Sequence, residues 1–223
     1  SYGGFFAYIL FNISSAVVNL TQLPLMAFGL LGGEYGYAKS ANMLVAAMRM
    51  YASGGRDNNT SLSLAGVSLA DWTLFAGNNL NQDSLTKRFG KDKSGKPRVT
   101  VAEMEELRDL AIERSQLRRS SAQELQDIRR QSITGFTNFY AKFELAGGWL
   151  FQNSERLNHE VALVASYLLA KNKYKDATPL QHRNRAMISV EEINGPSLAE
   201  TGPAWMMDGW GKIIGTFKKY AWH

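Results

Sequence analysis

The first 33 residues carry no charged side chain, and this feature constrains the fold more than any other in the sequence. All 25 basic and 20 acidic residues fall between Glu34 and His223. The stretch from Phe5 to Leu31 is 27 residues long, and 19 of these are apolar. A membrane-spanning helix needs about 20 predominantly apolar residues. We therefore expect this stretch to be hidden from water, either by protein or by lipid.

The polar residues of this segment recur with helical spacing. Steps of three, four and three residues place them on one stripe of a helix that is otherwise apolar. The stripe consists of Asn12, Ser15, Asn19 and Gln22. A buried helix of a large soluble assembly, with its amides paired across an interface, is one interpretation. The other is a membrane-competent helix whose stripe bonds to neighbouring helices or lines water. Both interpretations require neighbouring helices or further copies of the chain.

A run of positive charge separates two longer regions of the chain. Between Lys87 and Arg98 there are six basic residues and one acid. The net charge of this run is therefore +5, which equals the net charge of the whole chain. The basic residues are Lys87, Arg88, Lys91, Lys93, Lys96 and Arg98. Because glycine, serine and proline interrupt the run, we expect an exposed loop that binds a polyanion such as DNA or lipid head groups. A merely solvated hairpin is the alternative.

Helical periodicity and capping signals dominate the remaining sequence, so the predicted fold class is all-α. The capping box of Thr100 and Glu103 predicts a long amphipathic helix that runs to about Ser132. Further helices are predicted at the following places: about Ala38 to Ala52, Leu69 to Leu80, an aromatic helix ending near Gly147-Gly148, a helix from Asn153 or Ser154 through Lys171, and one from Thr178-Pro179 to about Ile193. Residues 56–63 read as a polar loop.

These elements divide into three predicted regions. Residues 1–81 form an apolar helical segment, residues 82–99 the basic loop, and residues 100–223 a helical domain. The predicted architecture is an elongated multi-helix assembly with an uncharged N-terminal helix, one long charged helix and an aromatic C-terminal helix.

The C-terminal helix is predicted from aromatic and apolar residues that recur every three or four positions. An aromatic face of this kind suits a membrane interface or a groove in a partner, although packing onto its own domain is equally compatible. The residues expected to dock are Trp205, Met206, Trp210, Ile213, Phe217, Tyr220 and Trp222.

No catalytic, cofactor-binding or metal-binding residue is predicted. The chain has no cysteine, which excludes thiolate metal sites and thiol nucleophiles. Glu155 and His159 offer a carboxylate and an imidazole on one helical face, but their spacing of four differs from the three of di-iron bundles. Glu155, Asn158 and His159 are therefore interpreted as a polar helix surface.

Three stretches together resemble a known group of proteins. They are LPLMAFGLLGGEYGYAKSANMLVAAMRMYASGG at 23–55, FQNSERLNHEVALVASYLLAK at 151–171 and ETGPAWMMDGWGKIIGTFKKYAWH at 200–223. In this order they resemble the C-terminal region of the internal virion proteins, or ejection proteins, of short-tailed bacteriophages, and the related large polyvalent phage proteins. The absence of a methionine at position 1 agrees with a piece of a larger polypeptide.

The resemblance implies a protein of the virion interior, packed in the capsid near the portal. After expulsion it would help to form a DNA-translocation conduit in the host cell envelope. The implied partners are other copies of itself, the portal and other internal virion proteins, phage DNA bound without sequence preference, and the host membrane after ejection. Any peptidoglycan-cleaving activity would reside elsewhere in the larger chain.

Two other classes of protein stay open at this point. A cellular membrane-associated helical scaffold or channel subunit would share the apolar segment. A soluble helical enzyme domain would take its active site from another chain. A parent reading frame of a thousand or more residues beside portal and tail genes would favour the phage protein over both.

Overall fold

The computed structural model describes residues 20–21, 23–53, 56–64, 67–76, 79–113 and 137–194, and this part of the chain is mostly helical, as predicted. A π-helical turn, Leu23–Ala27, leads directly into the first α-helix. The α-helices are α1 (Phe28–Tyr35), α2 (Tyr37–Ala52), α3 (Gln82–Phe89), α4 (Val101–Glu113), α5 (Thr137–Lys173) and α6 (Pro179–Asn194). Two strands, β1 (Arg56–Leu64) and β2 (Val67–Trp72), pair antiparallel.

The central element is α5, which is 37 residues or ~55 Å long. Every residue from Val161 to Ala170 is buried, so this stretch is covered on all sides. It contacts α1, α2, α6 and the π-helical turn. Alanines at 162, 165 and 170 and Ser166 allow these neighbours to approach closely. A helix that is buried all round in this way forms the centre of a hydrophobic core.

The described end of the uncharged segment packs into the same core. Leu23, Ala27, Leu31 and Tyr35 follow at every fourth position, and all four are buried. Gly36 then turns the chain from α1 into α2 with φ of +93°, a conformation that disfavours residues with a Cβ. Inside the corner, the Ser40 hydroxyl donates to the Leu31 carbonyl at 2.8 Å. Among the described helices, none is both long and apolar enough to cross a membrane.

The predicted helix from Leu69 to Leu80 is wrong, and residues 56–63 are not a loop. β1 and β2 form a hairpin there, with Leu64 opposite Val67 and Leu62 opposite Leu69. The sequence carries the reason: serine and leucine alternate over residues 61–64, and valine, serine and leucine follow over residues 67–69. Alternation with a period of two is typical of strands, and a separation of two residues is typical of a hairpin. The chain leaves β2 at Trp72 and turns over residues 73–76.

The predicted break at Gly147-Gly148 is also wrong, because α5 continues through both glycines. One helix therefore replaces the aromatic helix and the separate helix expected to begin at Asn153 or Ser154. Each glycine weakens a helix by about 1 kcal/mol relative to alanine, but tertiary packing overrides such a propensity. The predicted start of α6 after Thr178 is confirmed, since α6 begins at Pro179.

The long charged helix begins where it was predicted. Glu103 accepts from the Thr100 N–H at 2.8 Å, and the Glu103 N–H donates to the Thr100 hydroxyl at 3.3 Å, which completes the capping box. α4 is described as far as Glu113, and its predicted continuation to Ser132 lies outside the described residues. Its stripe of Met104, Leu107 and Ala111 is buried within the chain, in the same hydrophobic cluster as α1, α2 and α5.

Candidate polyanion-binding site: a basic hairpin

Of the three sets of site residues that the sequence predicts, one lies within the described residues. The polar stripe of Asn12, Ser15, Asn19 and Gln22 lies outside them, and so does the aromatic set from Trp205 to Trp222. Both remain predictions. The six basic residues of the predicted polyanion-binding loop are all described.

The basic run is only partly a loop. Lys87 and Arg88 lie in the last turn of α3, and the chain then folds back on itself from Gly90 to Arg98. In this second part, which we call the basic hairpin, Lys91 forms an antiparallel bridge with Pro97. The Arg98 N–H donates to the Gly90 carbonyl at 3.2 Å, and the Asp92 N–H donates to the Lys96 carbonyl at 2.8 Å. The cations are thus held on a hydrogen-bonded turn.

Asp92, the acid within the run, organises the tip of the basic hairpin. Its carboxylate accepts the Ser94 hydroxyl at 2.7 Å and the N–H groups of Ser94 and Lys96 at 2.8 and 2.9 Å. These hydrogen bonds, the Ser94 hydroxyl first, lower the pKa of Asp92 below its ordinary value. Gly95 completes the turn with φ of +81°. The Asp92 carboxylate therefore stabilises the backbone of the turn by accepting its N–H groups.

The base of the basic hairpin is anchored in the core on both sides. Before it, Leu85 and Phe89 of α3 are buried, and the Asn81 side chain caps α3 by accepting from the Ser84 N–H at 2.7 Å. After it, Val99 is 1% exposed, and its carbonyl accepts the Gln82 side-chain amide at 3.0 Å. The cations consequently project from a fixed support.

The cations themselves face solvent. Lys87, Lys91, Lys93, Lys96 and Arg98 are exposed, and Arg88 is half-buried. Within the part of the chain that the structure describes, none of the six side chains forms an ion pair. The Arg98 Nε donates to the Lys91 carbonyl at 3.2 Å, which holds the guanidinium group beside the hairpin. Closely spaced, unpaired cations on a rigid support are suited to bind successive phosphates.

A second charged cluster fastens the base of the hairpin to α5. Lys171 Nζ donates to the Arg98 carbonyl at 2.9 Å and contacts Glu103 Oε1 at 2.5 Å. The Tyr167 hydroxyl donates to the same carboxylate oxygen at 3.1 Å. Burial raises the pKa of Glu103, but Lys171, the Thr100 N–H and Tyr167 outweigh burial and lower it overall. Glu103 is therefore an ionised structural link between α4 and α5.

A third cluster, around Glu160, was not predicted from the sequence. Glu160 follows His159 of the possible carboxylate–imidazole pair directly in the sequence, and its side chain is fully buried. It accepts from the Thr73 hydroxyl at 2.7 Å, from the Leu74 N–H and from Arg156 Nε at 2.9 Å. Burial raises the pKa of Glu160, while Arg156 and the two other donors act against this rise.

The interpretation of this face of α5 as a polar surface is wrong for Asn158, which is 1% exposed. Glu155 and His159 are half-buried. Protein donors occupy the Glu160 carboxylate, which leaves it suited to structural support. Across the described ranges, no three His, Asp or Glu residues are grouped so that they could hold a metal ion.

Comparison with known proteins finds no matching family model, no matching curated protein and no matching solved structure. Among the described features of this chain, the basic hairpin points most directly to a ligand.

Proposed function

We propose that this chain is an internal virion (ejection) protein of a short-tailed bacteriophage, the C-terminal part of a larger polypeptide. It is packed near the portal and expelled to help form a DNA-translocation conduit across the host envelope. Its partners are further copies of itself, the portal and other internal virion proteins, phage DNA and, after ejection, the host membrane. Its role is structural and does not require an enzymatic reaction.

The basic hairpin carries this proposal. An interior virion protein lies against densely packed DNA, whose backbone bears one charge per ~1.7 Å of duplex. Lysines at 91, 93 and 96 and Arg98 offer four cations within eight residues. Phosphate contacts of this kind position a protein without reading sequence, since specificity comes from contacts to base edges. The hairpin therefore suits non-specific contact with DNA.

The anchored base supports the same proposal. A row of cations on a flexible tail would lose much of its conformational freedom on binding, and each long side chain that becomes ordered adds a further entropic cost. The basic hairpin has its backbone already fixed by Asp92, Gly95 and the buried Val99. A preformed support reduces the cost of binding.

The location of the protein provides the test. We expect antibodies against this chain to detect it in purified, DNA-filled virions after disruption of the capsid, and not on intact particles. Particles that have ejected their DNA should have lost it. Detection in the envelope of uninfected cells would instead identify a cellular scaffold or channel subunit and overturn the proposal.

A further inference from the structure

A second cationic site lies where α5 ends and α6 begins. An open pocket of about 640 Å³ is bounded there by the connection between the helices and by one face of α6. The last residue of α5, Lys173, lines it together with the connection from Tyr174 to Ala177, and α6 contributes Gln181, Asn184, Arg185 and Ile188. These four positions of α6 follow the three- and four-residue spacing of a single helical face.

Arg185 is held in a fixed orientation at this pocket. Its guanidinium carbon lies over the Tyr174 ring, 4.0 Å from the centroid, which is a cation–π contact. Tyr174 is itself fixed, because its hydroxyl donates to Glu34 Oε1 at 3.2 Å and its carbonyl lies 2.7 Å from His182 Nε2. A cation–π contact does not use up the N–H donors of a guanidinium group, which can still make the two-point contact with an oxyanion that arginine favours.

Among the charged residues that line the pocket, cations outnumber acids. Lys173 and Lys175 also line the pocket, and Asp176 is the acid among its lining residues. Lys173 Nζ donates to the Glu34 carbonyl at 2.8 Å and lies 5.1 Å from the centroid of the Tyr174 ring. In the described part of the chain, Arg185 forms no ion pair. The pocket therefore offers a preoriented guanidinium group and two lysines to an anion.

We infer that this pocket binds a backbone phosphate of the same nucleic acid that the basic hairpin contacts, an inference that rests on the proposed function. Both sites have a lysine in the last turn of α5, on different sides of the helix. Lys171 donates to the Arg98 carbonyl at the base of the hairpin, and Lys173 enters the pocket only two residues later. A polymer of phosphates that passes around this end of α5 would contact both sites, whereas a single free anion would occupy one of them.

Binding of duplex DNA by two variants of α6 tests this inference. Arg185→Gln removes the preoriented guanidinium group, and we expect it to weaken binding about 3- to 10-fold at low salt. We also expect it to reduce the slope of log K against log salt concentration by about 1, as loss of one phosphate contact does. Arg185→Lys keeps the charge but loses the two-point geometry. Its affinity for DNA should therefore fall between those of the wild type and Arg185→Gln.

Arg183→Gln is the matched control. Arg183 lies two residues away on α6, but its guanidinium group pairs with Glu106. Arg183→Gln removes the same charge as Arg185→Gln, but we expect it to leave the slope of log K against log salt concentration unchanged. Circular dichroism melts should show that all three variants remain folded. An equal loss in Arg183→Gln and Arg185→Gln would mean that general charge alone matters and would overturn the inference.

Two further arms separate this inference from the proposed function. One outcome is that a hairpin variant with Gln at 91, 93 and 96 binds DNA weakly while Arg185→Gln binds like the wild type. This outcome would overturn DNA binding by the pocket and support DNA binding by the basic hairpin. Weak DNA binding by Arg185→Gln beside normal binding by the hairpin variant would support DNA binding by the pocket and contradict DNA binding by the basic hairpin. Vesicles of phosphatidylserine and phosphatidylcholine form the second arm. If Arg185→Gln lowers binding to these vesicles but not to DNA, the pocket recognises lipid head groups and the inference is wrong.

Discussion

The Thr73 hydroxyl donates a 2.7 Å hydrogen bond to the buried carboxylate of Glu160, across 87 residues of sequence. The N–H of the next residue, Leu74, donates to the second oxygen of that carboxylate. The turn that follows the β-hairpin is thereby tied to the central helix. Asn79 continues the link, since its side-chain amide donates to the carbonyls of Met50 at 3.1 Å and Leu74 at 3.2 Å. This link holds α2, the turn and α5 together ahead of the basic hairpin.

Thr73→Val should destabilise the protein by about 1.5–3 kcal/mol, because it removes the hydrogen bond to the buried Glu160 carboxyl group and the 3.2 Å hydrogen bond that the Phe75 N–H donates to the Thr73 hydroxyl, without changing the shape of the side chain. Urea unfolding followed by circular dichroism measures the loss. Thr86→Val is the control, since the Thr86 hydroxyl accepts only a 3.3 Å contact from the half-buried Gln82. We expect the control to change stability by less than ~0.5 kcal/mol. Similar losses in both variants would contradict a special role for Thr73.

Glu103 should make stability depend on pH. Its pKa in the folded protein lies below the ordinary value of 4.5, because Lys171, the Thr100 N–H and Tyr167 stabilise the carboxylate. A carboxyl group with a lowered folded pKa contributes stability above its unfolded pKa and loses that contribution as the pH falls. The free energy of unfolding of the wild type should therefore exceed that of Glu103→Gln by about 1 kcal/mol at pH 7. This difference should shrink as the pH falls below 4.5.

Unfolding in urea at pH 7, 4.5 and 3 measures that difference, and the titration of Glu160 is common to both proteins. Glu105→Gln is the control on the same helix, because Glu105 is exposed. It should show a small difference at every pH. A constant difference between wild type and Glu103→Gln from pH 7 to pH 3 would contradict the ionised link.

Two glycine substitutions should act in opposite directions. Gly95→Ala places a Cβ at a residue with φ of +81°, which costs about 1–2 kcal/mol in the left-handed region. Gly33 lies in α1, and a Cβ there meets no atom within 4 Å. Gly33→Ala should therefore raise stability by about 0.5–1 kcal/mol through better helix propensity. Thermal melts of both variants measure the changes, and a gain from Gly95→Ala would show that the tip is not a fixed turn.

Features that depend on neighbouring residues were predictable from the sequence. The capping box of Thr100 and Glu103 starts α4 as expected, and the helical periodicity from about residue 38 to Ala52 gives α2 nearly its observed bounds. The basic residues were expected to be exposed, and five of the six are. Each of these signals lies within a few residues of the feature that it predicts.

Features that depend on distant partners were not predictable in the same way. Glu160 has its structural role because Thr73 and Leu74 reach it from another part of the chain. The glycines at 147 and 148 suggested a helix end, although α5 continues through them. Likewise, Arg185 resembles any other helical arginine until the fold places it against the ring of Tyr174. A local pattern does not contain these tertiary contacts.

The central claim is that the basic hairpin binds DNA through its unpaired cations. The hairpin variant carries Lys91→Gln, Lys93→Gln and Lys96→Gln, all at exposed positions that form no described ion pair. Removal of three phosphate contacts should reduce the slope of log K against log salt concentration by about 3. Fluorescence anisotropy of a labelled duplex between about 50 and 200 mM salt measures this slope.

A control with the same change in net charge makes this measurement decisive. Lys39→Gln, Arg49→Gln and Arg108→Gln together remove three cations from α2 and α4, outside both proposed binding sites. We predict a salt slope for this control within about 1 of the wild type, beside a reduction of about 3 for the hairpin variant. Equal slopes for the wild type and the hairpin variant, or equal reductions in the two variants, would contradict DNA binding by the basic hairpin.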